Sequence, residues 1–371
     1  MKRILTLDGG GIRGMFSLQV LARIEALFRA ERGRPGLVLR DEFDFFAGTS
    51  TGAIIATFLA WGLSVGEIET LYVERGAEMF ARAAWHQRWK SKFRADSIAH
   101  FFRERFCEDD DARSPAVLGT RKLWAGETPK YLLVVMRNAS TGSPWPVTNN
   151  PCGKYNDPAR ADCNLRIPLW KLLRASTAAP TYFPPESIVL GDPDHPQLFV
   201  DGGVTPYNNP ALIAALMATL PCYHIDWPTG PDRLQVVSVG TGHVRMRLKD
   251  KLAERIHLLD QATYVVPAIF DSVAREQDLM CRVLGDCVHG VKLENELGDL
   301  HGPGLLSAAE KKFSYVRYNY EYSRQELEDL LHTSRLQFTM DNLELIPYLQ
   351  QTGRAYAANV RREHLFRSTP A

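Results

Sequence analysis

No two cysteines in this 371-residue chain are spaced to suggest a staple or a zinc knuckle. The six stand at Cys107, Cys152, Cys163, Cys222, Cys281 and Cys287, with no Cys-x-x-Cys, which argues against a disulfide framework or a structural zinc site. Long apolar runs are missing too. The longest, Ala53 to Leu63, contains Thr57 and Gly62 and falls short of the ~20 residues that cross a bilayer. The opening stretch, Met1 to Asp8, has too short an apolar run for a signal peptide and ends in a carboxylate. The expectation is a reduced, cytoplasmic protein. Neither sign of charge dominates: 44 Lys and Arg face 43 Asp and Glu, a net charge of +1, so no global field favours a nucleic-acid polymer. Repeats, low-complexity segments and Gly/Ser/Pro linkers are absent. With 45% apolar and 23% charged residues, disordered and fibrous classes are excluded.

What is present is an alternation of strands and helices. A short strand over Arg3 to Leu7 runs into a glycine cluster, and Val20, Leu21, Ile24, Leu27 and Phe28 then recur on one helix face. A second apolar run, Phe43 to Ala47, ends in Gly48-Thr49-Ser50-Thr51-Gly52. The next segment, Ala53 to Trp61, is apolar nearly all round and reads as a buried helix stopping at Gly62. Further strands are expected at Tyr131–Met136, Leu198–Val200 and Leu234–Val239. Continuous apolar strands between helices imply a mostly parallel sheet covered on both faces. Beyond about residue 246 the pattern turns mainly helical. A late strand is indicated near Tyr315–Tyr320, and two helices near 323–332 and 341–365 finish the chain.

Three motifs carry chemistry. Asp8-Gly9-Gly10-Gly11-Ile12-Arg13-Gly14 follows a strand and opens a helix. Glycines there let backbone N–H groups approach an anion. Gly48-Thr49-Ser50-Thr51-Gly52 is a G-x-S-x-G between strand and helix, the setting of a nucleophile elbow, with Gly48 and Gly52 permitting the sharp turn. Asp201-Gly202-Gly203 follows the strand Leu198–Val200 and can project a carboxylate from its end. A serine hydroxyl needs a base, and its tetrahedral adduct needs oxyanion donors. Ser50 is expected to attack and Asp201 to take its proton. The turn from Gly9 through Gly10, Gly11, Ile12 and Arg13 to Gly14 is expected to form the oxyanion hole.

Taken together, Asp8–Gly14, Gly48–Gly52, Ala175-Ser176-Thr177-Ala178-Ala179-Pro180 with Thr181-Tyr182-Phe183-Pro184, and Val200–Gly203 resemble the patatin-like phospholipases from residue 3 to about 245. That resemblance implies a three-layer α/β/α fold and a Ser50–Asp201 dyad acting as a calcium-independent lipid acyl hydrolase. It implies no cofactor and no metal, and a membrane phospholipid substrate met peripherally. The corresponding division is a catalytic core over residues 1–245 and a mainly helical extension over 246–371. Some bacterial members of the family are anti-phage effectors switched on by cyclic oligonucleotides. The length, the Asn149-Asn150-Pro151 region and the helical C-terminal part are compatible with that subgroup and with such an activator. A homo-oligomer stays open.

Rival readings rest on the same residues. Gly9, Gly11 and Gly14 form a G-x-G-x-x-G, and Leu37–Leu39 followed by Asp41 mimics a dinucleotide-binding strand with its ribose acid. His224 or His243 would complete a Ser–Asp–His order, although that fold places several strands before its elbow. A sensor or scaffold that kept the fold is the non-enzymatic alternative. Trp85–Arg94 is basic and aromatic, either a lipid-docking surface or a solvated helix face. Glu108–Asp111 reads as a solvated loop rather than a metal site. Pro180, Pro184 and Pro185 are expected to route a loop near the cleft.

Overall fold

The computed structural model describes residues 1–80, 91–108, 114–124, 129–180, 182–244, 272–301 and 304–366. Two expectations fall largely elsewhere: most of the basic aromatic segment, and Asp109–Asp111, lie outside the described residues.

The chain opens with strand β1 (Lys2–Leu7) and helix α1 (Gly14–Arg32), then α2 (Leu39–Glu42), β2 (Phe45–Thr49), α3 (Thr51–Trp61), α4 (Val65–Phe80) and α5 (Ser91–Arg105). Next come β3 (Tyr131–Asn138), β4 (Ser143–Thr148), α6 (Leu169–Ser176), β5 (Glu186–Ile188), β6 (Gln197–Asp201) and α7 (Ala211–Thr219). The last part holds β7 (Leu234–Val239), β8 (His243–Val244), a helix α8 over 272–284, β9 (Asp286–His289), β10 (Ser314–Tyr318) and β11 (Glu321–Tyr322). Helices α9 (Arg324–Ser334), α10 (Ile346–Ala357) and α11 (Arg362–Leu365) follow.

Strands β3, β2, β1, β7, β10 and β9 run parallel in that spatial order, while β4, β5 and β6 add antiparallel pairings at the β3 end. Alternate residues of the central strands bury opposite faces, as the period of two requires. Leu5, Leu7, Phe46, Val237 and Val239 face one core with α1, α3 and α10; Ile4, Phe45, Ala47, Leu234 and Val236 face the other with α7 and α8. The architecture is therefore a three-layer α/β/α sandwich. Helix α3 is buried from Thr51 to Ala60, so its apolar perimeter has a partner on every side. Fully burying one such Leu, Ile or Phe contributes roughly 1.5–3 kcal/mol.

Three features depart from the sequence-based expectations. The late strand expected near Tyr315–Tyr320 is present as β10, but it belongs to the core rather than to a helical addition. Strands β9 and β10 extend the central sheet, with Val316 beside Val237 of β7, because every residue of Ser314–Tyr318 is buried. The long terminal helix is broken: Leu343–Leu345 form a tight turn, Pro347 sits in the first turn of α10, and the chain leaves the helix before Val360. The dinucleotide reading loses its second strand, since Leu39–Glu42 is a short helix and Asp41 pairs with Arg34 at 3.3 Å.

Strand β4 escaped the sequence reading because Pro144 and Pro146 look like strand breakers. As an edge strand it tolerates them, since an N–H missing on the outer side leaves no ladder bond unmade.

Candidate active site

The dyad residues meet because of how β3 shares its partners. Strand β4 covers one edge of β3 from Leu133 to Asn138. On the other edge β2 pairs up to Thr49 opposite Val135, and β6 arrives antiparallel with Asp201 opposite Met136. Two strand ends therefore stop head to head on consecutive residues of one strand. Ser50 leaves β2 at this point with φ 54° and ψ −125°, a region that L residues rarely occupy. The turn into α3 is tight. A Cβ on Gly48 would strike the backbone of Gly52 and Ala53, and one on Gly52 would strike the carbonyls of Leu7 and Asp8.

The Ser50 hydroxyl donates to Asp201 Oδ2 at 2.7 Å. The other carboxylate oxygen, Oδ1, accepts the Gly203 N–H at 2.7 Å. Gly202 packs on the Val135 carbonyl, where a side chain has no room. Burial pushes the Asp201 carboxyl up to about 6, against the opposing pull of the Gly203 amide and the Ser50 hydroxyl. Such a carboxylate is ionised near neutrality and basic enough to accept a proton from an attacking hydroxyl.

The glycine turn divides its amides. Gly9 N–H donates to the Asn208 carbonyl at 3.2 Å and Ile12 N–H to the Met340 carbonyl at 2.8 Å. Arg13 N–H turns back to Gly10 O at 3.3 Å, and Gly14 N–H reaches the Gly11 and Ile12 carbonyls. The Gly10 and Gly11 N–H groups engage no partner among the described residues. Gly11, at φ 60°, lines the same cleft as Ser50 and Asp201. Thus Gly9, Ile12, Arg13 and Gly14, expected as oxyanion donors, spend their amides on Asn208, on Met340 and within the turn. The Arg13 guanidinium bonds the carbonyls of Gly10 at 3.2 Å and Gly242 at 3.1 Å, bracing the turn. Asp8 binds Arg317 of β10 through both carboxylate oxygens, and Arg317 also donates to Ser238 Oγ at 2.8 Å. The carboxylate that opens the motif is a strut to the C-terminal third.

Among the described residues, the two histidines of the rival order make other contacts. His243 bonds Asn319 at 3.2 Å and lies 3.4 Å from Glu321, and His224 sits in the turn after α7. No histidine lines the cleft among the described residues. Met79, Phe80 and Phe183 give the cleft an apolar wall, and Ala179, Tyr182 and Phe183 belong to the proline-flanked loop. Met340 and Asp341 also line the cleft. The cavity left is about 50 Å³, room for a few waters but not for an acyl chain. No three His, Cys, Asp or Glu side chains among the described residues converge as metal ligands. No helix there is long and apolar enough to cross a membrane.

Sequence reasoning missed two participants. Ser176 Oγ accepts the Ser50 N–H at 2.9 Å; it stood inside a motif already singled out, yet nothing local distinguishes it from a helix-end serine. Met340 reaches the glycine turn from more than 300 residues away, and no local pattern announces such a contact.

A serine on a strained strand-to-helix turn, a buried carboxylate on its hydroxyl and two glycine-turn amides without a partner thus come together, and no histidine joins them among the described residues. The match to the patatin-like phospholipase family model spans residues 5–215, and the chain belongs to that family. It is 32% identical over 219 residues to a cGAMP-activated phospholipase of Vibrio cholerae, covering 57% of this chain and 56% of that one. A cGAMP-activated phospholipase of Escherichia coli is 29% identical over 221 residues, 58% and 55% of the two chains. The calcium-independent phospholipase A2-gamma of Mus musculus is 31% identical over 253 residues, 65% of this chain and 28% of that one. The matched region thus spans little more than half the length of the two bacterial relatives.

Proposed function

We propose that this chain is a lipid acyl hydrolase of phospholipase A type that cleaves glycerophospholipid acyl esters through Ser50 and Asp201. The observation that carries the reading is the 2.7 Å bond from Ser50 Oγ to a buried Asp201 carboxylate in an apolar-walled cleft. Ser50 Oγ attacks the ester carbonyl carbon and its proton passes to Asp201 Oδ2. The Gly10 and Gly11 N–H groups hold the oxyanion. Collapse breaks the acyl C–O bond, and the departing lysolipid alkoxide takes the proton from Asp201. A water then repeats the sequence on acyl-Ser50, with Asp201 as base, and releases the fatty acid.

Because Asp201 must be ionised to act, turnover of a soluble short-chain ester is expected to fall on the acid side with a midpoint near pH 6. A pH–rate profile of kcat/KM between pH 4.5 and 8, which reports ionisations of the free enzyme, checks this. A flat profile there would contradict Asp201 as the base.

The same reading includes control by a cyclic oligonucleotide, as two bacterial relatives' names state of those proteins, in the anti-phage setting that the family resemblance implies. Supporting it are those names and the narrowness of the cleft, about 50 Å³, which Met340 and Asp341 help to line. Ile12 N–H holds the Met340 carbonyl, and a Cβ on Gly11 would collide with it. An activator that binds the open form more tightly shifts the population towards it, by no more than that difference in affinity. Fatty-acid release from phospholipid vesicles is expected to rise at least tenfold with one member of a panel of cyclic di- and trinucleotides. Hydrolysis of the short ester is expected to rise less. Full vesicle activity without nucleotide, unchanged by every member, would contradict gating and leave a constitutive lipase.

A further inference from the structure

We infer that Ser176 is a positioning residue for the nucleophile, and that the end of α6 sets the Ser50–Asp201 geometry. This rests on the dyad reading above and adds to it a residue that acts through Ser50 rather than on substrate. Where β2 and β6 part on β3, the ladder leaves two backbone groups facing a gap: the Ser50 N–H and the Val135 carbonyl. The Ser176 hydroxyl fills that gap. It accepts from Ser50 N–H at 2.9 Å and donates to Val135 O at 2.6 Å, using its one proton and one of its lone pairs. The side chain is 0% exposed, so water does not compete for either partner.

Two residues on, the Ala178 carbonyl accepts the Asp201 N–H at 3.0 Å. A single short segment therefore holds the backbone of both dyad members. Ser50 needs such a hold. Its backbone at φ 54° persists only where the surroundings over-determine it, because such a conformation costs about 1–3 kcal/mol. Below Ser50, Thr49 is anchored by its hydroxyl to Tyr207 O at 2.6 Å. Above it, Ser50 O accepts from Ala53 N–H at 2.9 Å as α3 begins. Ser176 supplies the third point, on the amide itself.

Without the hydroxyl, the Ser50 N–H and Val135 carbonyl are both buried without this partner, and the elbow is free to relax. A displacement of about 1 Å at a reacting atom can cost on the order of 100-fold in rate. Ser176→Ala is therefore expected to lower kcat on a soluble ester by about 30- to 100-fold, with KM within about twofold because no substrate contact is lost. The acid limb of the pH profile should also move up from about 6, since a Ser50 hydroxyl that drifts away no longer favours the Asp201 carboxylate. Ser176→Thr, which returns the hydroxyl, should recover most of the rate.

The test is the rate of Ser50 labelling by a small alkyl fluorophosphonate, read by intact mass and peptide mapping on the full chain. Ser50 Oγ bonds to phosphorus, fluoride leaves and the proton passes to Asp201, so the readout follows the nucleophile whatever the natural substrate. Expected is rapid labelling of the wild type, labelling slowed in step with kcat in Ser176→Ala, and recovery in Ser176→Thr. Ser176→Cys is isosteric and a far weaker donor and acceptor. It carries the same expectation of slowed labelling if the alanine chain does not fold. Wild-type labelling in natively melting Ser176→Ala or Ser176→Cys would overturn the inference while leaving the dyad intact. A wild type that is not labelled at Ser50 would overturn both.

Discussion

Ser50→Ala and Asp201→Asn are expected to lose ester hydrolysis to a similar extent, on the order of 10⁴-fold or more, because residues that act as a unit fail as a unit. Their effects on stability should diverge. The folded protein holds the Asp201 pKa at about 6 against an ordinary 3.8. The folded state therefore binds more protons than the unfolded chain between those values, and stability falls as pH rises through that window. Above about pH 6, keeping this buried carboxylate charged costs roughly 3 kcal/mol. Asparagine removes that charge and still accepts the Gly203 N–H. Asp201→Asn should thus melt several degrees above wild type at pH 7 and level with it below pH 4, while remaining inactive. Calorimetric melts at both pH values, beside ester assays, test this. An Asp201→Asn protein with more than a tenth of wild-type turnover, or one destabilised at pH 7, would contradict the assignment.

The second large effect is expected at Gly10. A Cβ there would sit 2.7 Å from Thr241 Cβ. Thr241 itself is fixed, with its hydroxyl on Gly9 O at 3.0 Å, so the glycine turn has to yield. Gly10→Val should displace the two free amides and cut kcat by about 10²- to 10³-fold, the usual cost of one lost oxyanion donor. KM should change little, because the donors act mainly on charge that develops in the transition state. The comparison of kcat and KM on a soluble ester decides it. Unchanged kcat would remove the turn from the mechanism, and a rise in KM alone would make it a binding element instead.

These expectations trace back unevenly to the sequence. The glycine turn, the elbow and Asp201-Gly202-Gly203 are legible because each is a local strand-end pattern whose small residues are demanded by backbone contacts. Gly48 against Gly52 and Gly202 against Val135 are instances. The parallel sheet is legible from its continuous apolar strands. The division of labour within the turn is not. Ile12 and Arg13 look like donors until Met340 and the Gly10 and Gly242 carbonyls claim them, and those partners are set by tertiary folding. For the same reason β10 reads as an appendage although Arg317 bonds Asp8. Ser176 is invisible as a function because a helix-end serine is common; what singles it out is the gap where β2 and β6 part on β3. A fold of this kind hosts many chemistries, so function is argued from the site.

The most direct test is quantification of free fatty acid and lysolipid released from vesicles of defined diacyl phospholipids in EDTA. Wild type and Ser50→Ala are compared, each with and without the cyclic nucleotide panel. The expected result is stoichiometric fatty acid and lysolipid from the wild type, unaffected by EDTA, strongest with one cyclic nucleotide, and absent from Ser50→Ala. No release from the wild type under any condition, or equal release from Ser50→Ala, would contradict a Ser50-dependent lipid acyl hydrolase.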